Sequence, residues 1–163
     1  MSDFDANTYE HLRNLARRIH GERSNMGVAV QPTTLVHEAW IKIERSTVEI
    51  QGRAHFLAVA ARAMRQLMLD RARAAAADKR GNAPLRVTLS GLSTQDDITD
   101  FLDLDRALDL LTEVDPLAAE VAVMRMLAGA TLPEVATALD RPQRSIERSW
   151  RFARVFLKRH LTS

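Results

Sequence analysis

Apolar residues recur at helical spacing along most of this chain, and they fall into two groups separated by a polar stretch. Tyr9, Leu12, Leu15, Ala16 and Ile19 share one face at 3.6 residues per turn and predict a first helix from about Asn7 to His20. Gly21 to Pro32, with glycines at 21 and 27 and Ser24-Asn25, has the composition of a loop. Thr33 or Thr34 can then cap a helix over Leu35 to Ile43, with Leu35 and Ala39 on one face and Val36, Trp40 and Ile43 one step round. Ser46 to Gly52 reads as a connection. From Arg53 to Ala77 there is no glycine or proline and much Ala, Leu, Met and Arg, which predicts one long helix. Arg62, Arg65, Gln66 and Arg73 project close together on it, leaving one side basic and the other apolar.

The second group begins with a helix over Leu102 to Leu111. Leu132, Val135, Ala136 and Leu139 then predict a short helix of about two turns. Thr131 can cap it, Pro133 is tolerable in its first turn, and Glu134 suits a helix N-terminus. In the last segment, Arg141 to His160, Ile146, Trp150, Ala153 and Leu157 stack on one side and Arg144, Arg148, Arg151 and Val155 on the other. The link Asp140-Arg141-Pro142 admits only a tight turn, so the pair reads as a helix-turn-helix with the Arg-rich segment as recognition helix. Many such turns carry Gly where this chain has Asp140, and Asp tolerates the left-handed conformation better than most residues. The fold class expected is therefore all-α, with two small helical domains joined by a linker. The boundaries are 1–81, linker 82–102, and 103–163.

Charge changes this picture more than composition does. The net formal charge is only +2, but residues 1–81 carry 13 Lys/Arg against 9 Asp/Glu, residues 82–116 carry 2 against 8, and residues 117–163 carry 8 against 4. Two basic blocks flank an acidic bridge whose Gly81-Asn-Ala-Pro84 and Ser90-Gly-Leu-Ser-Thr-Gln-Asp-Asp97 suit a linker. Five aspartates between Asp96 and Asp105, with no base among them, predict a tether without fixed structure over at least its first half. Seven Lys/Arg between positions 141 and 160 face one acid, Glu147, a bias that favours contact with nucleic acid.

Other classes fare worse. Cysteine is absent, which excludes disulfides, thiolate metal sites and a thiol nucleophile. The polar, acidic start is unlike a secretory signal, and no apolar run approaches the ~20 residues that span a bilayer, so no membrane insertion and a cytoplasmic location are expected. His37-Glu38 lacks a second His four residues on, there is no phosphate-cradling loop, and His55 and Asp70, 15 positions apart on one helix, cannot meet. No enzyme activity, cofactor or metal is expected. The rival reading is a helix-turn-helix transcriptional regulator, but its first block would carry a ligand pocket or dimerisation helix instead of a second basic helix.

The residues themselves match a known pattern. Gln31-Pro-Thr-Thr-Leu-Val-His-Glu-Ala-Trp40, Arg53-Ala-His-Phe-Leu-Ala-Val-Ala-Ala-Arg-Ala-Met-Arg65 and Asp70-Arg-Ala-Arg73, followed by Lys79-Arg-Gly81, resemble conserved region 2 of the extracytoplasmic-function (ECF) sigma factors of the sigma-70 family. Leu132 to Leu157 is similar to their region 4.2. The resemblance implies a protein that binds core RNA polymerase, directs it to promoter DNA and assists promoter opening, and that an anti-sigma factor or other regulator can hold. It places Leu35, His37, Glu38, Trp40 and Lys42 against polymerase. It places Gln51, Arg53, His55, Phe56, Arg62, Arg65, Gln66 and Arg73 at the −10 element, where aromatic, His and Arg side chains can hold a flipped base. Arg141, Gln143, Arg144, Ser145, Arg148 and Arg151 fall at the −35 element. Ile50 stands where the family pattern suggests an aromatic residue.

Overall fold

The computed structural model describes residues 32–77, 86–89 and 97–161, with side-chain surroundings for 37–77 and 99–161. The predicted Asn7–His20 helix, the Leu35 side chain and Lys79-Arg80 lie outside the described residues. The architecture is all-α apart from one short strand pair. In chain order the elements are α1 (Pro32–Glu44), α2 (Gly52–Ala77), β1 (Arg86–Leu89), β2 (Asp97–Asp100), α3 (Phe101–Val114), α4 (Pro116–Leu127), α5 (Leu132–Leu139) and α6 (Gln143–Leu161).

Helix α1 starts at Pro32, so Thr33 and Thr34 lie in its first turn and do not cap it. Proline is at home there because its fixed φ is helical and its missing N–H would have had no intrahelical partner. Gly52 turns the chain into α2 with φ of 85°, a left-handed value that disfavours any side chain there although the surrounding space is open. The Gln51 N–H donates to Nδ1 of His55 at 2.9 Å, tying down that entry. Along α2, Leu57, Ala61, Met64, Met68 and Ala72 are buried at i, i+4, i+7, i+11 and i+15. Ala39 and Ile43 of α1 join the same core, and the Trp40 and Phe56 rings meet with centroids 6.2 Å apart.

The segment between α2 and α3 departs from the tether expectation. Strands β1 and β2 pair antiparallel in the register Arg86↔Asp100, Val87↔Thr99, Thr88↔Ile98, Leu89↔Asp97. Two facts favour pairing over repulsion: Val87, Thr88, Ile98 and Thr99 are β-branched, and the basic Arg86 stands opposite Asp100. The expected absence of structure over the first half of Asp96–Asp105 is thus corrected for Asp97–Asp100. Asp100 then caps α3, its carboxylate accepting the Leu102 N–H at 2.9 Å. Asp100→Ala should lower stability by about 1 kcal/mol, whereas Asp100→Asn, which can still accept that bond, should leave the melting curve nearly in place.

Helix α4, for which the sequence reading has no element, is central to the second group. Asp115 ends α3 by donating its N–H to the Leu111 carbonyl at 2.8 Å and begins α4 by accepting the Ala118 N–H at 3.0 Å. Ala118, Ala119, Val121, Ala122, Val123, Met124 and Leu127 are buried, covered by α3 and α6 and by α2 from the first group. The two groups are packed together: α2 lies against α3, α4 and α5, and a single apolar cluster runs from Ala39 to Leu157. Among the described residues no helix is long and apolar enough to cross a membrane.

Candidate nucleic-acid interface

The turn before α6 is built by backbone bonds. Asp140 adopts φ 49° and ψ 53°, the left-handed conformation, which lets the Arg141 N–H reach the Ala136 carbonyl at 3.0 Å and close α5. Thr131 and Glu134 form a full capping box at the other end of α5, with the Glu134 N–H donating to the Thr131 hydroxyl at 3.3 Å and Glu134 Oε2 accepting the Thr131 N–H at 2.8 Å. Pro142 gives its carbonyl to the N–H groups of Ser145 and Ile146, starting α6.

Burial then fixes the faces of α6. Ile146, Ser149, Trp150, Ala153 and Leu157 are buried, while Arg141, Gln143, Arg144, Arg148 and Arg151 are exposed and Ser145 is half-buried. Arg125 of α4 lies over the Trp150 ring, 5.2 Å from its centroid, and donates to the Ala130 carbonyl at 2.6 Å. Burial, and secondarily the nearby Arg154, lowers the Arg125 pKa from its ordinary value. The one acid of the helix, Glu147, accepts from the Gln143 amide at 2.9 Å and so stays on its own helix. What remains is an exposed row of guanidinium groups on a helix whose other side is anchored, an arrangement suited to phosphates and guanine edges.

The basic face of α2 is differently placed. Arg62, Arg65, Gln66 and Arg73 border a cleft of about 540 Å³ whose far wall is α3 and α4. Arg62 pairs with Glu120 of α4. Arg65 donates to Asp105 Oδ1 at 2.8 Å, to the Asp105 carbonyl at 3.3 Å and to Asp109 Oδ1 at 2.8 Å. Gln66 donates to Asp70 at 3.0 Å, and Arg73 is exposed. Nearer the N-terminus of α2, Gln51 is exposed and His55 half-buried, while Arg53 bridges to Glu134 of α5 at 3.0 Å. Phe56 is only 2% exposed and packs on Trp40, on the turn of α2 that faces α1.

On α1, His37 and Lys42 are exposed and Trp40 is half-buried. Glu38 pairs with Arg71 of α2 at 2.6 Å. Glu38 and Lys42 also edge a shallow groove with Ile41 and Leu67. The acids that face α2 from the second group were missed by sequence reasoning. The signal available was the i, i+4 spacing of Asp105 and Asp109, which puts both carboxylates on one side of α3.

Glu134 joins two of these features. Its burial raises the carboxyl pKa, but the Thr131 backbone N–H, the Arg53 guanidinium and the Thr131 hydroxyl together outweigh that, and the net shift is downward from 4.5. A depressed folded pKa means stability that is present above the unfolded value and is lost as pH falls through the folded one. Glu134→Gln keeps an oxygen that can accept the Thr131 N–H but loses the charge that faces Arg53 and the α5 N-terminus, so it should cost about 0.5 kcal/mol at pH 7, and the difference from the parent should shrink in melting curves taken below pH 4.5.

No curated protein and no solved structure matches the chain. The family model described as ECF sigma factor matches residues 3–163, both helical groups and the segment between them. The chain, anchored Arg-rich helix and basic α2 included, belongs to the ECF sigma factor family and has a sigma factor's role in transcription initiation.

Proposed function

We propose that this chain directs core RNA polymerase to its own set of promoters, reading the −35 element with α6 and the −10 element with α2 and assisting strand opening. The observation that carries the reading is the exposed row Arg144, Arg148 and Arg151 on a helix anchored by Trp150, within a chain matched over residues 3–163 by the family model. Arg141, Gln143 and Ser145 flank that row at the start of α6, where a recognition helix meets base edges. On α2 the same role falls to Arg62, Arg65, Gln66 and Arg73, with Gln51, Arg53 and His55 at its entry. The α1 side chains His37, Glu38, Trp40 and Lys42, with Leu35 beyond the described side chains, dock on polymerase. An anti-sigma factor would compete for the same surfaces. The working place of such a protein is the cytoplasm, beside polymerase and DNA.

Each group offers few phosphate contacts, and affinity scales with the number of phosphates neutralised, so the isolated chain should bind duplex DNA weakly. Transcription from genomic fragments with core polymerase is the test. Discrete start sites should appear only when core enzyme and this chain are both present. Tight, sequence-specific duplex binding by the chain alone, with no effect on core enzyme, would overturn the proposal in favour of a helix-turn-helix regulator.

A further inference from the structure

Arg125 is an odd residue for the place it occupies. It is half-buried in the last turn of α4, with its guanidinium over the Trp150 ring of α6 and a 2.6 Å bond to the Ala130 carbonyl. Its Nε is buried and has no hydrogen-bond partner among the described residues. No carboxylate pairs with it among those residues, and a second guanidinium, Arg154, stands 6.0 Å from the centroid of the same ring. Burial first, and then the charge of Arg154, lower its pKa, so both work against the charged form. An apolar side chain would cover the ring without desolvating a charge. Stability therefore does not account for a guanidinium here, and departures of this kind from the rules of packing gather at functional positions.

What the guanidinium does join is three helices. Ala130 is fully buried and directly precedes Thr131, the N-cap of α5. Gly129 turns the chain into it with φ of 60°, and the Ala130 N–H donates back to the Met124 carbonyl of α4 at 3.1 Å. A single flat group with donors in a fixed fork thus ties the end of α4, the entry to α5 and the anchor of α6. The Asp140 turn joins α5 to α6 at one end of α5, and Arg125 joins them at the other. Two points of attachment fix a crossing angle that a turn alone leaves free. We propose that Arg125 is a positioning residue for −35 recognition: by bridging the Ala130 carbonyl and the Trp150 ring it sets the angle of α6 to α5, and so the aim of Arg144 and Arg148, without touching DNA. This rests on the −35 assignment of α6 given under Proposed function. The lever is long enough to matter. Arg144 is six residues from Trp150, about 9 Å along the helix, so a tilt of about 10° at Trp150 displaces it by roughly 1.5 Å. A site that makes directed contacts has to be held to within about 0.5 Å.

Two full-length variants each remove one half of the bridge. Arg125→Lys keeps a donor for the Ala130 carbonyl and gives up the flat cover of Trp150, whereas Arg125→Met keeps a cover and gives up the donor. Asp100→Ala, whose lost cap lies at the start of α3, is the control for lowered stability alone. Each is combined with core polymerase at a temperature at which circular dichroism shows it folded. Initiation is then compared on a promoter whose −35 element is intact and on one in which it is scrambled. The intact-to-scrambled ratio should fall about fivefold or more in both Arg125 variants, with initiation on the scrambled promoter little changed. The control should keep its ratio within about twofold of the parent. A ratio within about twofold of the parent in either Arg125 variant shows that one half of the bridge suffices and overturns the proposal. Equal falls on both promoters, or an equal fall in Asp100→Ala, overturn it as well. Should Arg125→Met fail to fold at any temperature, Arg125→Lys alone decides, with the same outcomes. An unmodified chain that does not distinguish the two promoters overturns the −35 assignment itself, and the positioning role falls with it.

Discussion

Trp150→Ala should unfold the second helical group. Trp150 is 7% exposed, lies under the Arg125 guanidinium and sits beside Ile146 and Ala153 in a core shared by α4 and α6. Emptying a buried tryptophan site costs about 3–5 kcal/mol, a large part of the 5–15 kcal/mol that holds a domain together. The loss is compounded at Arg125, whose charge is partly buried and would keep its bond to the Ala130 carbonyl but lose the ring face. Thermal melting followed by circular dichroism should show a drop on the order of 10 °C or more, with sequence-dependent transcription gone at growth temperature. A melting curve that stays within a degree or two of the parent would mean that the apolar face of α6 is not its anchoring face.

How much of this was legible in the sequence depended on how sharply each segment divides into two faces. In α6 most charged and apolar residues separate, with Phe152 and Val155 as exposed exceptions, so the pattern alone places Ile146, Trp150, Ala153 and Leu157 inside and Arg144, Arg148 and Arg151 outside. Helix α5 announced both ends, Thr131 and Glu134 at one and Asp140 at the other. Helix α4 announced neither, because residues 116–124 hold a run of apolar residues broken only by Glu120 and a helix buried on several sides has no period to read. Strands β1 and β2 are four residues each, and their pairing depends on partners eight or more positions away that a polar, turn-rich composition conceals. Phe56 shows a related limit: a motif can place a residue on the right turn of a helix without saying which neighbour that turn faces. The contact of Arg65 with Asp105 and Asp109 was out of reach for the same reason, since it joins side chains 40 and 44 positions apart.

Arg148→Ala should leave the fold intact and weaken promoter choice. Arg148 is exposed in the middle of the guanidinium row, one turn from both Arg144 and Arg151, and no ion pair among the described residues involves it. Truncating it removes no buried surface and orphans no partner, so the folding free energy should change by no more than about the ±0.5 kcal/mol typical of surface changes. A bidentate contact to a guanine edge is worth roughly 1–3 kcal/mol, or about 5- to 150-fold in discrimination. A contact to phosphate alone would lower binding to all sequences alike and flatten the salt dependence by about one ion. Transcription from a promoter with its −35 element intact, compared with one in which that element is scrambled, separates these cases. The expected result is a large fall on the intact promoter and little change on the scrambled one, so that the two converge. Equal falls on both would move Arg148 from base reading to backbone positioning, and an early melt would take it off the exposed face altogether.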